Sequence, residues 1–513
     1  MGRPVGGERD RIMSDNIIAT FFARQHGHGA KPAIVWNGDV VCTFAELPAH
    51  VGRYRAALAQ LGVRRGERVM VKTENSPAFV FTYLAVLASG AIFVPMNAAY
   101  TAAEVELLVE DADPVLLIHA EKTAVPPAGS DRTARATLNG DGSGSLTDLA
   151  ATLEPDLAVE PMTSADLAAI LFTSGTTGRP KGAMLTHGNL GSNVAALFET
   201  WQFSSDDVIL HCLPLFHAHG LFVALHLGLY SAATLRMLPK FDAAKVIAQL
   251  GDASVFMGVP TFYTRLLESA DFTREACAGI RLFISGSAPL LPSVFSAFEA
   301  RTGHRILERY GMTETVMITS NPYAQSGRIA GTVGYPLPGV SVRIVGADRA
   351  ELPAGEVGEI EMKGPNLCAG YWRRAEATAE SFYPDGFFRT GDTGFKDDSG
   401  RITIAGRSKD LIISGGYNVY PAEIEMLLAE VPGVQDVAVF GVPHPDFGEA
   451  VMAAITTEGD AFDMAAMQAV IAEKLARFKQ PKAVHVLDEF PRNAMGKILK
   501  NVLRDTYRDS FAR

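Results

Sequence analysis

A run rich in Gly, Thr and Ser stands directly after a short apolar run, and it limits what the chain can fold into more than any other stretch. The apolar run, residues 167–172, predicts a buried strand. The polar run, residues 173–182, has the sequence TSGTTGRPKG. Its glycines allow a tight turn that aims several N–H groups at one point, and its hydroxyls and Lys181 add donors and charge. We therefore predict a loop that holds a polyphosphate, with a solvated turn as the alternative.

This loop is not a Walker A loop, because Lys181 is followed by Gly182 where that motif has Ser or Thr. Each candidate ligand can offer a backbone N–H, a hydroxyl or an ammonium group to phosphate oxygens. The candidates are Thr173, Ser174, Gly175, Thr176, Thr177, Gly178 and Lys181.

Length and composition bound the class of protein. The 513 residues exceed one ordinary core, so two or more domains are expected, and a formal net charge of -11 argues against nucleic-acid binding. The four Cys lie far apart without a C-x-x-C pair, so we expect no zinc site, no disulfide framework and a reducing cytoplasm. Two uncharged stretches, 76–103 and 208–235, are interrupted by Pro and Gly. They favour buried helices and strands over membrane spans.

Strand and helix patterns alternate over the first part of the chain, which predicts an α/β fold with a largely parallel sheet. We expect a large, multi-subdomain N-terminal domain over 16–406, with sheets flanked by helices. The compact pattern over 407–513 predicts a small α+β domain. Residues 1–15 are expected to be a flexible extension or an expression remnant.

Residues 308–315, ERYGMTET, combine groups that suit a nucleotide. Tyr310 offers a flat face to a base, Thr313 a hydroxyl to the α-phosphate, and Glu314 a hard oxygen ligand to Mg²⁺, although Glu314 alone could be a solvated acid. Upstream, residues 286–290, GSAPL, lack bulk, so a flat base could lie against their backbone.

The local sequence makes three further charged residues candidates for ligand binding or catalysis. Asp392 stands beside a Gly turn in FRTGD and suits the ribose hydroxyls, with an Asx turn as the alternative. Arg407 could bind the same ribose or be a surface charge. Lys497 follows a Gly-bearing turn in PRNAMGK, from which it could present an ammonium group to a distant site, although a Lys in a basic tail is the simpler interpretation.

Taken in order, these runs closely resemble the signatures of the acyl-adenylate-forming superfamily, which contains acyl-CoA synthetases, luciferases and peptide-synthetase adenylation domains. The resemblance covers nearly the whole chain after the extension. It implies that ATP and a carboxylic acid form an acyl-adenylate with release of pyrophosphate, and that CoA then takes the acyl group with release of AMP. ATP, Mg²⁺ and CoA are the implied cofactors and co-substrates, and the small domain is implied to be mobile.

The resemblance also implies a role for each matching residue. Lys497, Thr313 and Glu314 are implied to be catalytic, with Glu314 also the metal ligand. Nucleotide contacts beyond the phosphate loop are implied for Ser287, Ala288, Pro289, Glu308, Arg309, Tyr310, Gly311, Met312, Asp392 and Arg407. Lys409 is implied to be the hinge, and a CoA-facing loop is implied at Ser414, Gly415, Gly416 and Tyr417.

Within the superfamily the chain most resembles malonyl-CoA synthetases, in PLFHAHGLFVALH, FMGVPTFYTRLL and SGSAPL. That resemblance implies malonate as the acid, with methylmalonate as a second acid. A distal carboxylate needs a cation, because burial of an unpaired charge is costly. We expect Arg236 in this role, with Arg281 as the alternative, and a surface side chain as the plainer interpretation of Arg236. The expected acyl-pocket residues are His217, Arg236, Gly258, Arg281 and Ser285. His217 could equally be a satisfied core histidine.

Other functions stay open on the sequence. The chain could be a short-chain, medium-chain or aryl acyl-CoA synthetase, an adenylating module that loads a carrier protein, or a nucleotide-binding protein without turnover. Acylation of Lys497 by a protein acyltransferase, reversed by a deacylase, would remove its charge, and we expect it to block adenylation.

Overall fold

The structure, a computed structural model, describes residues 16–123, 125, 133–173, 180–414, 417–458, 462–493 and 496–511. The expected extension over 1–15, the phosphate-loop residues 174–178, and Gly415 and Gly416 lie outside the described residues. The predicted α/β class is confirmed, since helices and strands alternate and the strands build four sheets in the described part of the chain.

Side-chain caps start several helices where the sequence turns out of a strand. Ser76 accepts a hydrogen bond from the backbone N–H of Phe79 at 3.2 Å, and Thr101 and Glu104 form a capping box. The helices are α1 (Ile17–Arg24), α2 (Leu47–Gln60), α3 (Pro77–Ala88), α4 (Ala102–Ala112), α5 (Ser145–Ala151), α6 (His187–Thr200), α7 (His226–Ser231), α8 (Ala243–Ile247), α9 (Pro260–Leu267), α10 (Pro292–Thr302), α11 (Ala375–Ser381), α12 (Pro421–Leu428), α13 (Met464–Lys474) and α14 (Lys500–Thr506). A π-helix, His219–Leu225, runs directly into α7.

The strands of the large domain and of the small domain follow one another along the chain. They are β1 (Pro32–Trp36), β2 (Asp39–Thr43), β3 (Arg68–Lys72), β4 (Ile92–Pro95), β5 (Leu116–His119), β6 (Ala134–Thr137), β7 (Leu167–Thr173), β8 (Lys181–Thr186), β9 (Val208–His211), β10 (Thr234–Met237), β11 (Val255–Gly258), β12 (Leu282–Ser285), β13 (Leu307–Tyr310), β14 (Thr319–Ser320), β15 (Tyr335–Pro336), β16 (Ser341–Val345), β17 (Gly358–Lys363), β18 (Phe388–Lys396), β19 (Ile402–Arg407), β20 (Ile412–Ser414), β21 (Tyr417–Val419), β22 (Val434–His444), β23 (Gly448–Thr457) and β24 (Ala483–Val486).

The largest sheet supplies one edge of the candidate site. Its described strands have the order β15-β14-β13-β12-β11-β9-β10-β1-β2, and the strands from β13 to β1 are parallel. The register places Gly258 of β11 opposite Ser285 of β12, and Ser285 opposite Glu308 of β13. Ligands of parallel sheets bind outside the carboxyl ends of the strands, so these residues stand at the expected edge.

The second large sheet carries the predicted phosphate loop. Its order among the described residues is β6-β5-β3-β4-β7-β8, and all neighbours are parallel except β8, which pairs antiparallel with β7. Thr173 of β7 pairs with Lys181 of β8 at the end of this hairpin. The run over 167–172 is therefore a strand, as predicted.

Two smaller sheets complete the chain. Strands β16 to β19 form an antiparallel sheet, and β20 to β24 form the last sheet. The last sheet has an apolar core of its own with α12 and α13, which agrees with a separate small domain. Strand β19 ends at Arg407, one residue beyond the predicted boundary, and the division of the chain at that point stays a prediction.

The core lies between the two large sheets. Val71 and Phe93 of one sheet and Leu235 and Met257 of the other belong to the same apolar cluster, and α3, which is buried along its whole length, lies within it. The uncharged stretches of the sequence thus form interior helices and strands. Across the described residues, none of the helices combines the length and the apolar character that crossing a membrane requires.

Candidate active site

One part of the site joins the large sheet to the antiparallel sheet through a shared carboxylate. The hydroxyl of Tyr310 donates to Oδ2 of Asp392 at 2.6 Å, and Nε of Arg407 lies 3.1 Å from Oδ1. Asp392 and Arg407 stand opposite each other on β18 and β19. Burial raises the pKa of Tyr310 well above its usual value, so its phenol stays a donor. Three residues predicted for the nucleoside are therefore in contact.

A second part of the site gathers the residues predicted for phosphate and metal. Glu314 is buried, and its Oε1 accepts a hydrogen bond from the hydroxyl of Tyr371 at 2.9 Å. Nζ of Lys181 lies 5.4 Å from the centre of the same Tyr371 ring, and Oγ1 of Thr173 donates to the carbonyl oxygen of Lys181 at 3.3 Å. Mg²⁺ typically takes one or two protein carboxylates together with substrate phosphates. The Glu314 carboxylate, next to a phosphate loop, fits that donor set.

Arg309 is the most unusual charged residue of the site. It is 5% exposed, and its Nε and Nη2 are buried without a hydrogen-bond partner among the described residues. Gly286 leaves room for it, because a Cβ there would lie 2.4 Å from Cζ of Arg309. Burial lowers the pKa of Arg309 to about 9, which still leaves it charged at neutral pH. A buried, unpaired guanidinium is costly, so it points to an anionic ligand.

Two histidines of the LPLFHAHG run face this guanidinium. Burial lowers the pKa of His217 to about 4 and that of His219 well below its usual value, and the charge of Arg309 adds to both effects. Both rings are therefore neutral. Nδ1 of His217 accepts the backbone N–H of His219 at 3.3 Å, and Nδ1 of His219 lies 3.4 Å from Oγ of Ser287. His219 begins the π-helix, a feature that is frequent at functional sites.

Lys497 reaches this site from the small domain. It is partly buried, and burial, reinforced by the nearby charge of Arg407, lowers its pKa to about 8. The preceding Gly496 has a φ of +75° and lies against the first turn of α9, where a Cβ on it would be 3.0 Å from Oγ1 of Thr261. Asp392 is among the charges that act on Lys497. Lys497 of the small domain is therefore close enough to the Asp392 carboxylate for that charge to raise its pKa.

The two arginines expected for the distal carboxylate are placed elsewhere. Arg281 precedes β12, at the opposite end of that strand from Ser285, and its guanidinium binds Asp207 at 2.7 and 2.8 Å. Arg236 of β10 pairs with Asp252 at 3.5 Å, and Asp252 precedes β11 on the amino-terminal side. Both guanidinium groups thus have a carboxylate nearby, although Nε of Arg236 is buried without a hydrogen-bond partner among the described residues. The acyl role of either arginine stays a prediction.

The remaining predicted residues either hold the loops of the site or lie on them. Glu308 is buried, and its Oε1 accepts the backbone N–H of Leu290 at 3.3 Å, so it holds the GSAPL loop. A Cβ on Gly311 would lie 2.2 Å from the carbonyl oxygen of Val316, so only glycine fits there. The residues that the structure places on the loops after β12 and β13 are Ser287, Ala288, Pro289, Gly311, Met312 and Thr313. Of the described CoA-loop residues, Ser414 is buried, while Tyr417 is exposed and stacks on Phe478.

The sequence analysis did not single out Tyr371, and it predicted a nucleotide contact for Arg309. Tyr371 contacts both the Glu314 carboxylate and the Lys181 ammonium group, yet it stands 57 residues after Glu314. Its one sequence signal is the pair Tyr371-Trp372 directly after Gly370, which stands out in an otherwise polar segment. Arg309 lay inside a recognised motif and was assigned to the nucleotide with its neighbours.

Comparison with known proteins agrees with this geometry. The family model described as "AMP-binding enzyme" matches residues 21–372, and the one described as "AMP-binding enzyme C-terminal domain" matches residues 423–497. The chain therefore belongs to the AMP-binding enzyme family. This confirms the predicted superfamily and the predicted order of a large and a small domain.

Similar proteins carry names of CoA ligases. The chain is 38% identical to "Malonate--CoA ligase" of Arabidopsis thaliana, over 86% of this chain and 78% of the relative. It is 36% identical to "Feruloyl-CoA synthase" of an Amycolatopsis species, over 92% of this chain and 95% of the relative. The solved structure "Crystal structure of ATP bound MatB from Rhodopseudomonas palustris" is 46% identical, with a TM-score of 0.92 over 97% of this chain and 99% of that one.

Proposed function

We propose that the protein is an ATP-dependent malonyl-CoA synthetase. It activates malonate as an acyl-adenylate with release of pyrophosphate and then transfers the malonyl group to CoA with release of AMP. The relatives named for malonate support this choice of acid, although a relative named for feruloyl-CoA is nearly as similar. The observation that carries the proposal is therefore structural: Arg309 is buried without a partner for Nε and Nη2 in the described structure.

Arg309 suits the distal carboxylate of malonate for three reasons. A guanidinium binds a carboxylate through two parallel N–H groups, and these groups are free on Arg309 among the described residues. Neutral His217 and His219 beside it add no competing charge. A dicarboxylate therefore supplies the anion that the folded protein lacks, whereas a monocarboxylate leaves the charge buried and unpaired.

In the first half-reaction, a carboxylate oxygen of malonate attacks the α-phosphorus of ATP, and the bond to the bridging oxygen of the β-phosphate breaks. Two anions must meet, so positioning and neutralisation of charge supply most of the acceleration. Lys497 would contact the carboxylate and the α-phosphate, and Thr313 would donate its hydroxyl to that phosphate. Mg²⁺, held by Glu314, would neutralise charge on the phosphate oxygens.

The nucleoside would be held by the contacts around Asp392. Oδ2 of this carboxylate accepts a hydrogen bond from Tyr310, and Oδ1 lies 3.1 Å from Nε of Arg407, so each oxygen keeps capacity for a ribose hydroxyl. The tyrosine ring can lie against the base. The described part of the phosphate loop, Thr173 and Lys181, would hold the β- and γ-phosphates until pyrophosphate leaves.

In the second half-reaction, the CoA sulfur bonds to the acyl carbon, and the bond from that carbon to the AMP oxygen breaks. The thiol loses its proton and AMP leaves as the anion. Lys497 occupies the site in the present arrangement, so this step needs the small domain to turn, and we assign the hinge to Lys409. Tyr417 and its neighbours would then face CoA. None of these steps uses a cysteine, and all four Cys are buried free thiols, which agrees with a reducing cytoplasm as the proposed location.

The test combines an acid panel with substitutions of three arginines. Wild-type protein with ATP, Mg²⁺ and CoA should form AMP fastest with malonate among malonate, methylmalonate, acetate, octanoate and ferulate. Arg309→Ala should lower kcat/KM for malonate about 100-fold or more, because the distal carboxylate loses its buried partner. The value of kcat/KM for acetate should stay nearly unchanged. Arg309→Lys should retain part of the malonate activity, because a point charge replaces the planar fork.

Arg236→Ala is the matched comparison, since Arg236 lies 3.5 Å from the Asp252 carboxylate, and it should keep malonate turnover. A wild-type preference for acetate, octanoate or ferulate would refute the choice of acid. An equal loss for all acids in Arg309→Ala would instead assign Arg309 to ATP, as the sequence first suggested. Transfer to a carrier protein but not to free CoA would support the loading-module alternative.

Acylation of Lys497 by a protein acyltransferase stays a prediction. The partly buried position of Lys497 beside Arg407 implies that a modifying enzyme needs the small domain turned outwards. Adenylation rates of acylated and deacylated protein, with the site of acylation identified by mass spectrometry, test it. Equal rates would contradict a regulatory role.

A further inference from the structure

The segment over 368–372 lies along the edge of β8, the strand that follows the phosphate loop. The backbone N–H of Ala369 donates to the carbonyl of Met184 at 2.8 Å, and that of Met184 donates to Gly370 at 2.9 Å. The N–H of Trp372 donates to the carbonyl of Gly182 at 2.8 Å. These ladder contacts fix the segment relative to the loop hairpin, as an added edge strand would.

The same segment is also attached to Glu314, on the other side of the site. The N–H of Cys368 donates to the backbone carbonyl of Glu314 at 2.7 Å, and the hydroxyl of Tyr371 donates to its Oε1 at 2.9 Å. Tyr371 is 7% exposed, and its own backbone N–H donates to Oγ1 of Thr378 at 2.9 Å. Both the main chain and the carboxylate of Glu314 are therefore held by residues that are themselves fixed on β8.

The ring of Tyr371 has a second contact, with the ammonium group of Lys181 at 5.4 Å from the ring centre. That distance is within the range of a cation–π interaction. Lys181 and Glu314 carry opposite charges, yet they form no ion pair with each other in the described part of the structure. The Tyr371 ring and hydroxyl thus contact both charged groups.

We propose that Tyr371 is a positioning residue for the adenylation half-reaction: its ring spaces the Lys181 ammonium from the Glu314 carboxylate, and its hydroxyl orients that carboxylate to receive the magnesium complex of ATP. The inference rests on the ATP-dependent first half of the proposed function and is independent of the identity of the acid. In this proposal Tyr371 transfers no proton and contacts no reacting atom.

Two substitutions separate the two contacts of Tyr371. Tyr371→Phe keeps the ring and removes the hydrogen bond, whereas Tyr371→Leu removes both. Tyr335→Phe is the matched control, because its hydroxyl bonds Ser399 at the surface at 3.1 Å. Binding of ATP to the full chain is measured by calorimetry in EDTA and across a Mg²⁺ titration, and melting of the ligand-free proteins reports their folding.

Tyr371→Phe should bind ATP in EDTA as wild type does and should melt at the wild-type temperature without ligand. Its half-saturating Mg²⁺ concentration for tight ATP binding should rise about tenfold, because a hydrogen bond to a charged group is lost. Tyr371→Leu should also weaken ATP binding in EDTA about threefold, since Lys181 loses its aromatic contact. Tyr335→Phe should change neither quantity.

An unchanged Mg²⁺ requirement in Tyr371→Phe would overturn the inference, and this variant decides it even if Tyr371→Leu does not fold. Loss of ATP binding in EDTA by Tyr371→Phe would also overturn it, because the hydroxyl would then serve the nucleotide directly. Absence of ATP binding in the wild type would overturn the inference and the proposed function together. Normal ATP binding without malonate turnover would refute only the acid, and the Mg²⁺ comparison would still be decisive.

Discussion

Arg281 and Arg309 belong to neighbouring parts of the same sheet and differ in what their charges contact. The guanidinium of Arg281, before β12, binds both oxygens of Asp207 and the backbone carbonyl of Trp201 at 3.1 Å. The guanidinium of Arg309, on β13, leaves Nε and Nη2 unpartnered among the described residues. A paired buried arginine stabilises the fold, whereas an unpaired one marks the place where a ligand completes the structure.

The difference follows the direction of the strands. Arg281 stands at the amino-terminal end of β12, where Asp207 before β9 and Ser254 before β11 form a closed polar network. Arg309 stands near the carboxyl end of β13, beside the loop at Gly286. In parallel sheets that second edge is where loops leave space for ligands. We call the amino-terminal edge with Arg281 the closed edge and the carboxyl edge with Arg309 the open edge.

The largest expected effect is on stability at the closed edge. Arg281→Ala leaves the Asp207 carboxylate buried without its partner, so we expect the free energy of unfolding to fall by about 3–5 kcal/mol. Urea unfolding measures this change. Turnover per folded molecule should stay near the wild-type value, because Arg281 is far from the reacting groups. The double variant with Asp207→Ala should recover part of the loss, and full additivity of the two substitutions would contradict the pairing.

The next effect is on the chemical step at the open edge. Lys497→Ala should lower the rate of pyrophosphate release with malonate about 10²–10³-fold, as removal of one preorganised charge does elsewhere. Stopped-flow detection of pyrophosphate measures it. Thioester formation from synthetic malonyl-adenylate should be retained. Lys500→Ala serves as the control, since Lys500 pairs with Glu425 instead, and comparable losses in both variants would remove the special role of Lys497.

A smaller effect, on KM for malonate, is expected when a side chain is added next to Arg309. Gly286→Ala places a Cβ 2.4 Å from Cζ of Arg309, so the guanidinium must shift. We expect KM for malonate to rise about tenfold with little change in KM for ATP, because overpacking of this kind costs about 1–3 kcal/mol. Steady-state kinetics with each substrate varied measure both constants. A larger rise for ATP than for malonate would place the guanidinium on the nucleotide.

The smallest effect concerns pH. Burial lowers the pKa of His226 to about 3, below the unfolded value of about 6.5, so the unfolded chain binds more protons in acid. Stability from this residue is therefore complete above pH 6.5 and is lost as the pH falls towards the folded pKa. The His226→Gln side chain can still form a hydrogen bond with the Tyr83 hydroxyl. Between pH 7 and 5.5, the free energy of unfolding of this variant should fall by about 1 kcal/mol less than that of the wild type. Parallel pH profiles of unfolding free energy would contradict this.

Several parts of the fold and site could be predicted because their signal is local. The strand over 167–172, its Gly-rich loop and the YGMTE run are short and chemically distinctive. Their agreement with the described strands and with the family matches confirms the class of enzyme. The contact of Tyr310 with Asp392 joins residues 82 positions apart, so the sequence named both partners without giving the distance between them.

The sequence by itself determined the α/β class, the family and the residues with nucleotide chemistry, because these depend on residue type in a local order. Only the tertiary structure decided which arginines have a carboxylate beside them. Arg236, Arg281 and Arg309 have the same side chain, and each stands on or beside a strand. Whether a charge is satisfied depends on carboxylates brought near by folding, and Asp207 and Asp252 reach two of these arginines but not the third.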